Sequence, residues 1–310
     1  MDGQGSIATS TSTIVVGYDG SAGSRLALSW AAEAARRQSK GLIVLTALDM
    51  SFTPGFPAAD YSQVEPTLER AAKEIVAEGA GLAGSTLAAS RIETQYWLGS
   101  PAAQLVSASQ DADLVVIGSR GRGRLLAGVL GSTSYAVAAH AHCPVVVVRE
   151  QDGEEGRGAS SVAHPGPGHD VVVGLDESPS AARALEAAAE VAHREGATLH
   201  VVRVSRAASM EAWTYAETAL AGTEVTHALR DHAERVVAEA TERVRVIHPD
   251  LVVTGEVLFG EPGQALADLG ATAGLIVVGT RGHGGFTGML LGSVSHRVIH
   301  DARCPVMVVP

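Results

Sequence analysis

The sequence predicts two α/β domains in tandem, each a doubly wound sheet of five parallel strands with helices on both faces. An internal repeat is the first ground for this. TIVVGYDGSAGSRLAL from Thr13 is echoed by DVVVGLDESPSAARAL from Asp170, and LVVIGSRGRGRLLAGVLGSTS from Leu114 by LIVVGTRGHGGFTGMLLGSVS from Leu275. Gly118 and Gly279, Gly131 and Gly292, and Cys143 and Cys304 share one offset, an agreement that duplication explains and chance does not. Within each copy, Val/Ile-rich runs alternate with helical patterns, as parallel strands joined by helices do. Right-handed crossovers then cover both faces of the sheet. Lastly, EQDGEEGRGASSVAHPGPG, rich in Gly, Pro, Ser and charge, reads as an exposed linker. The expected organisation is a flexible N-terminus at 1–12, a first domain at 13–149, the linker at 150–168 and a second domain at 169–310.

In the first copy the apolar run Thr13–Tyr18 predicts a buried strand. A helix over Ala22–Gln38 follows, with Ser21 as its cap and Leu26, Trp30 and Ala34 on one apolar face. Leu42–Ala47 is the second strand. Asp49–Tyr61, with two prolines, reads as a loop. Val64–Ala80 reads as a helix with Pro66 in its first turn. Arg91–Trp97 alternates, as a strand on the less buried side of the sheet does. A short helix over Ala102–Ser109 stands behind Pro101, and Leu114–Ile117 is the fourth strand. A glycine-rich loop, a helix near Ser132–Ala141 and the strand Val145–Val148 complete the copy. The second copy repeats this order, with strands over Val171–Leu175, Thr198–Val204, Leu251–Glu256, Leu275–Val278 and Val306–Val309.

Composition narrows the function. A formal charge of -11 argues against a broad basic surface for nucleic acid, and Trp30, Trp97 and Trp213 form no aromatic platform for bases. The apolar runs fall well short of the roughly 20 residues that span a bilayer, and the first residues lack a basic region followed by an apolar one. With only two cysteines the chain has no disulfide framework, and the expectation is a cytoplasmic protein. Cys143 and Cys304 each precede proline and read as small core residues at a helix–strand junction.

The chemistry lies in a loop present twice, G-x2-G-x9-G-[ST]: Gly118, Gly121, Gly131 and Ser132 in the first copy, Gly279, Gly282, Gly292 and Ser293 in the second. Glycines leaving a strand allow a tight turn and close approach of a ligand to backbone amides. The Gly-Ser step then opens a helix, whose unpaired amides and partial positive charge suit phosphate. Ser132, Ser134, Ser293 and Ser295 can add hydroxyls, and Arg120, Arg122, Arg124, Arg281 and His283 can add charge. Asp19 and Asp176, ending the first strand of each copy, can hold a ribose hydroxyl, a purine edge or a metal on phosphates, or serve only as turn residues. Gly99-Ser-Pro101 and Gly260-Glu-Pro262 shape the rim of the pocket. The loops lack the lysine of the ATPase motif GxxxxGK[ST], which argues against efficient phosphoryl transfer. No catalytic arrangement recurs in both copies. His140 and His142 face Asp301 and Arg303 at the matching places, and His296 and His300 read as ordinary helix residues.

Together, the strand ending in Gly-x-Asp, the full loop and the final Cys-Pro-Val strand resemble the universal stress protein family over nearly all of both domains. The likeness is to its tandem actinobacterial forms and its ATP-binding branch. It implies the strand order 3-2-1-4-5, with ATP and Mg²⁺ between strands 1 and 4. By resemblance Asp19 lies at the adenosine end and Ala47 holds adenine through its backbone. Gly118, Arg120, Gly121, Gly131, Ser132, Thr133 and Ser134 match the ribose and phosphate loop. The second copy offers Asp176, Val204, Gly279, Arg281, Gly282, Gly292, Ser293, Val294 and Ser295. It departs from the first with Glu177 after its aspartate and with His283, Gly284 and Gly285 in the loop. The implied function is a stress-responsive regulatory protein with one adenine-nucleotide site per domain and little or no hydrolysis. A nucleotide-using transferase or adenylate-forming enzyme, and a scaffold that binds no nucleotide, are the alternatives. The likeness also implies that the last strands of the two copies pair edge to edge within the chain, and that the chain forms a homodimer.

Overall fold

The computed structural model describes residues 12–49, 61–121, 130–149, 162–205, 219–282 and 291–310, with backbone alone at 61–63 and 219–226. The first domain runs β1 (Thr13–Gly17), α1 (Ala22–Arg37), β2 (Gly41–Leu48), α2 (Tyr61–Ala83), β3 (Ile92–Leu98), α3 (Pro101–Ala108), β4 (Leu114–Gly118), α4 (Ser132–His140) and β5 (Val145–Val148). The second runs β6 (Val171–Gly174), α5 (Pro179–Glu195), β7 (Leu199–Ser205), α6 (Ala219–Ile247), β8 (Val253–Phe259), α7 (Pro262–Leu269), β9 (Leu275–Gly279), α8 (Ser293–Asp301) and β10 (Val306–Val309). The expected strands and helices are all present, with ends shifted by a few residues. Most of the predicted loop from Asp49 to Tyr61 lies outside the described residues. Because α2 begins at Tyr61, Pro66 falls inside the helix rather than in its first turn, and its ring nitrogen leaves the Ser62 carbonyl without the usual helical bond.

All ten strands form one sheet in the order β3-β2-β1-β4-β5-β10-β9-β6-β7-β8. Each half has the expected order 3-2-1-4-5 and parallel pairing. The halves join where β5 and β10 run antiparallel, Val147 opposite Val306, Val146 opposite Met307 and Val145 opposite Val308. Every residue of these two strands is buried. Their side chains alternate between two cores. Val146, Val148, Met307 and Val309 join the layer under α1, α2, α5 and α6; Val145, Val147, Val306 and Val308 join the layer under α3, α4, α7 and α8. The sheet therefore shares its cores across the junction, and burial of each valine side chain contributes about 1.5–3 kcal/mol. No helix among the described residues is long and apolar enough to cross a membrane.

The end of the linker departs from expectation. Pro165 and Gly166 are buried, and Val162–His164 are partly so. The His164 ring stacks on Trp30 of α1 at 5.0 Å between centroids and 8° between planes. Arg37 donates from Nη1 to the Pro165 carbonyl at 3.3 Å and pairs with Glu195 at the end of α5 at 3.2 Å. A side chain at Gly274 would meet the His164 carbonyl at 2.8 Å. Polar composition predicted exposure; a flat imidazole on an indole and a backbone lying against glycine give this segment a docking place that composition does not encode. Cys143 and Cys304 are free and buried, and burial pushes their thiols up to about 11 and about 12.

Candidate functional site

At the carboxyl end of β1 the chain turns through Asp19 into α1. Asp19 accepts the Ser21 amide on Oδ1 at 2.9 Å, and its own amide donates to Ser24 Oγ at 3.3 Å. Ser21 caps α1 by accepting the Ser24 amide at 3.2 Å. The second domain repeats the turn: Asp176 Oδ1 accepts the Ser178 amide at 3.1 Å, and Ser178 Oγ accepts the Ala181 amide at 3.1 Å. The other carboxylate oxygen faces the loop. A side chain at Gly121 would meet Asp19 Oδ2 at 2.7 Å, and one at Gly282 would collide with Asp176 Oδ2. The second loop glycine of each copy is thus the floor beneath the aspartate.

The first loop glycine has a different task. A side chain at Gly118 would meet the Gly23 backbone at 2.7 Å, and one at Gly279 would meet Ser180 at 2.6 Å. These glycines let β4 and β9 pass close against the first turns of α1 and α5. Past the loop the chain is brought back by backbone bonds, the Gly131 amide to the Ser119 carbonyl at 2.9 Å and the Gly292 amide to the Thr280 carbonyl at 2.7 Å. The nine residues between lie mostly outside the described residues. So do Arg122, Arg124, His283, Gly284 and Gly285.

Then α4 and α8 begin, and their starts differ from those of α1, α3, α5 and α7. Side chains cap α1, α3, α5 and α7 through Ser21, Ser100, Ser178 and Glu261. At α4 and α8 the N-cap residue is glycine, Gly131 and Gly292, which offers no capping side chain. Among the described residues no side chain accepts from their first amides; Ser132 and Ser293 are exposed and Thr133 and Val294 partly so. Ser134 and Ser295 are buried. Their hydroxyls donate to the Gly118 and Gly279 carbonyls at 2.7 and 2.6 Å, so these protons are committed to the backbone and the serines fix the helix start to the strand. Ala47 and Val204 lie near the ends of β2 and β7, partly buried. Arg120 is partly buried and Arg281 exposed, beside the second glycine of each loop. Each copy therefore gathers its aspartate, both glycine pairs and a glycine-capped helix start at one end of the sheet, where ligands of doubly wound folds bind. Among the described residues no group of three His, Cys, Asp or Glu side chains is placed to hold a metal.

Sequence reasoning missed the residues that brace these sites. In the first domain buried Tyr18 donates to Glu78 of α2 at 3.0 Å, and Arg25 of α1 pairs with the same carboxylate at 2.7 Å. Thr46 donates to the Tyr18 carbonyl at 2.6 Å. In the second, Ser180 and Ser178 both donate to the Arg281 carbonyl, Ser178 at 3.3 Å, where the first domain has Gly23 against Arg120. These partners stand tens of residues apart in the chain, and no local pattern marks them.

Residues 11–149 and 169–310 each match the universal stress protein family. Universal stress protein Rv2005c of Mycobacterium tuberculosis is 35% identical over 302 residues, which span 95% of this chain and 96% of that protein. Universal stress protein Rv1996 of the same organism is 33% identical over 309 residues, spanning 95% and 94%. In structure, a universal stress protein from Archaeoglobus fulgidus superposes with a TM-score of 0.63 at 24% identity, over 96% of this chain and 97% of that one, which speaks to the fold. With both halves matched and full-length relatives above 30% identity, the chain belongs to the universal stress protein family, as a tandem member with two such domains.

Proposed function

We propose that the chain binds an adenine nucleotide, ATP with Mg²⁺, at one site in each domain and acts as a regulatory protein with little or no hydrolysis. The observation that carries this reading is the pair of helix starts that have glycine, Gly131 and Gly292, at the N-cap in place of a capping side chain. Four other helices have a side chain over their first amides; these two begin on glycine, with no such side chain among the described residues, beside a glycine floor and a carboxylate. Helix-start amides with a partial positive charge favour a phosphate there. Asp19 or Asp176 would take the ribose end, and the backbone near Ala47 or Val204 would take the base. Membership of the family makes adenine nucleotides the first ligands to test. Mg²⁺, when bound with ATP, would offset phosphate charge. Without an ATPase-type lysine in either loop, the ligand is expected to serve as a signal rather than as a substrate.

The test is direct. The gently purified full-length chain is denatured, the released small molecules are identified by mass, and the stripped protein is titrated with ATP by calorimetry. Two sites per chain are expected. No released nucleotide together with no heat of binding would overturn the reading and favour a scaffold.

A further inference from the structure

Away from the glycine loops, α8 carries two histidine rings on one face. His296 and His300 stand at i and i+4, neighbours one turn apart on the helix surface. This is the spacing by which helices present paired imidazoles to zinc. The rings lie 6.4 Å apart between centroids and 23° between planes. Both reach solvent, His296 being exposed and the His300 side chain 35% exposed. Two imidazoles that each place a nitrogen about 2.0–2.1 Å from one metal ion have centroids at most roughly 6.5 Å apart. The pair already stands at the outer limit of that span, and small side-chain rotations bring it further inside.

Spacing alone would leave these as two surface histidines, as the sequence suggests. Their partners set them apart. His300 Nδ1 lies 2.5 Å from Asp301 Oδ1. An ionised carboxylate only accepts, so Nδ1 carries the proton and Nε2 keeps its lone pair. A histidine that ligates a metal almost always gives its other ring N–H to a carboxylate, a carbonyl or water, which fixes the tautomer and makes the ligating nitrogen more basic. His300 has that arrangement. Asp301 is held in turn by Arg297, whose Nη2 also donates to Gln264 of α7 at 2.7 Å. The guanidinium next to the pair is thus engaged with a carboxylate and an amide of the protein. Tyr135 of α4 meets the His296 ring edge to face from across the seam, at 6.0 Å and 67°. Tyr135 is itself the repeat counterpart of His296, and Ala139 and His140 are those of His300 and Asp301, so the first domain has no such pair on α4.

We propose that His296 and His300 form a binding site for a divalent transition metal on α8. His300 Nε2 is one ligand, a ring nitrogen of His296 is the second, Asp301 stands behind His300, and water takes the remaining positions. Two imidazoles with open positions suit Cu²⁺ or Ni²⁺ in tetragonal geometry, and Cu²⁺ binds tightest among the first-row divalent ions. A site with two protein ligands holds its metal less firmly than the closed four-ligand sites of structural zinc, so its occupancy follows the supply of metal. This inference does not rest on the nucleotide-binding reading.

The full-length chain, free of nucleotide and of any histidine tag, is titrated with Cu²⁺ at neutral pH by calorimetry and electron paramagnetic resonance. One tight equivalent is expected, with a tetragonal spectrum and couplings from two imidazole nitrogens. His296→Ala and His300→Ala should each weaken it about a hundredfold, and Asp301→Ala, which leaves both ligands in place, about tenfold. The chain has 12 histidines, and His193 and His248 form another close pair at 4.7 Å between centroids. His193→Ala is therefore the control and should leave the tight equivalent unchanged. Without metal, His296→Ala should unfold at the temperature of the wild type; with Cu²⁺ only the wild type should gain Tm, because a metal that binds the folded chain stabilises it by mass action. A tight equivalent unchanged in the His296→Ala/His300→Ala double variant, its loss in His193→Ala instead, or no tight binding by the wild type overturns the inference.

Discussion

His164 makes the stability of the chain acid-sensitive through a contact that neither domain contains by itself. Its ring lies on Trp30, and burial pushes its pKa from 6.5 down to about 4, with Arg37 lowering it further, Glu33 opposing and Arg36 adding a smaller push. Across the seam Glu195, 8% exposed, answers Arg37. A histidine whose folded value is depressed binds its proton more readily in the unfolded chain, so stability is complete above pH 6.5 and falls as the pH drops from there toward 4. The full shift corresponds to roughly 3 kcal/mol, of which about 2 kcal/mol should be gone by pH 5. His164→Phe retains a flat ring against Trp30 and removes the titration. Urea unfolding of both proteins at pH 7.5 and pH 5 isolates the effect, because the carboxylates common to both cancel. The expected result is a wild type that loses about 2 kcal/mol more than the variant across that interval. Parallel losses in the two proteins would refute the docking of the linker against α1.

Three further outcomes follow from the same geometry. Gly118→Asp and Gly279→Asp should each abolish ATP binding at their own site by calorimetry; since a side chain there strikes the first turn of α1 or α5, Tm should fall as well, and Gly121→Ala, which presses only on the Asp19 carboxylate, should weaken the first site with less loss of Tm. Unchanged stoichiometry and affinity in the Gly118→Asp/Gly279→Asp double variant would sink the loop assignment. Steady-state ATP turnover should be slow or absent, and a rate of several per second that is lost on mutating a loop residue would show chemistry that the loops do not suggest. Val146→Lys/Val148→Lys puts two charges into the core layer shared by the domains and should open the ten-stranded sheet at β5–β10; small-angle scattering that finds the variant as compact as the wild type would contradict the seam.

The fold was legible because its signals are local and periodic. Runs such as Leu114–Ile117 and Val145–Val148 are too apolar to be anything but covered strands, and the repeat supplies each element twice. Ser21 as a cap and the order of strands in each half emerged as expected. The site was legible only as far as its backbone. Glycine and serine spacing located the loop and the helix start, because these depend on turn geometry within a few residues. It did not reveal that Ser134 and Ser295 give their protons to strand carbonyls, nor that Gly118 is needed by α1. Still less could it pair Glu177 with Arg203 and His232, or His164 with Trp30, since those contacts join residues that only the folded sheet brings together.

The edges of the sheet show which contacts the sequence was shaped to make. A bare strand edge offers unpaired amides and carbonyls to any other chain, and natural proteins blunt such edges with polar or charged residues. Here β5 and β10 are uninterrupted Val and Met, which would be a liability at an open edge, and they are the two strands that close on one another. The outer strands mix charge with apolar surface. In β3, Glu93, Thr94 and Trp97 are exposed, and in β8, Thr254, Gly255, Glu256 and Phe259. Gly255 is there because a side chain would strike Val237 of α6 at 2.5 Å, so among these residues it is the Glu93 and Glu256 carboxylates that discourage further strand pairing. If the chain forms a homodimer, helix faces rather than the β3 or β8 edges should carry it. Glu93→Val and Glu256→Val together should promote edge association; analytical ultracentrifugation that finds the wild type already assembled, and its assembly abolished by a proline in β3, would reverse this reasoning.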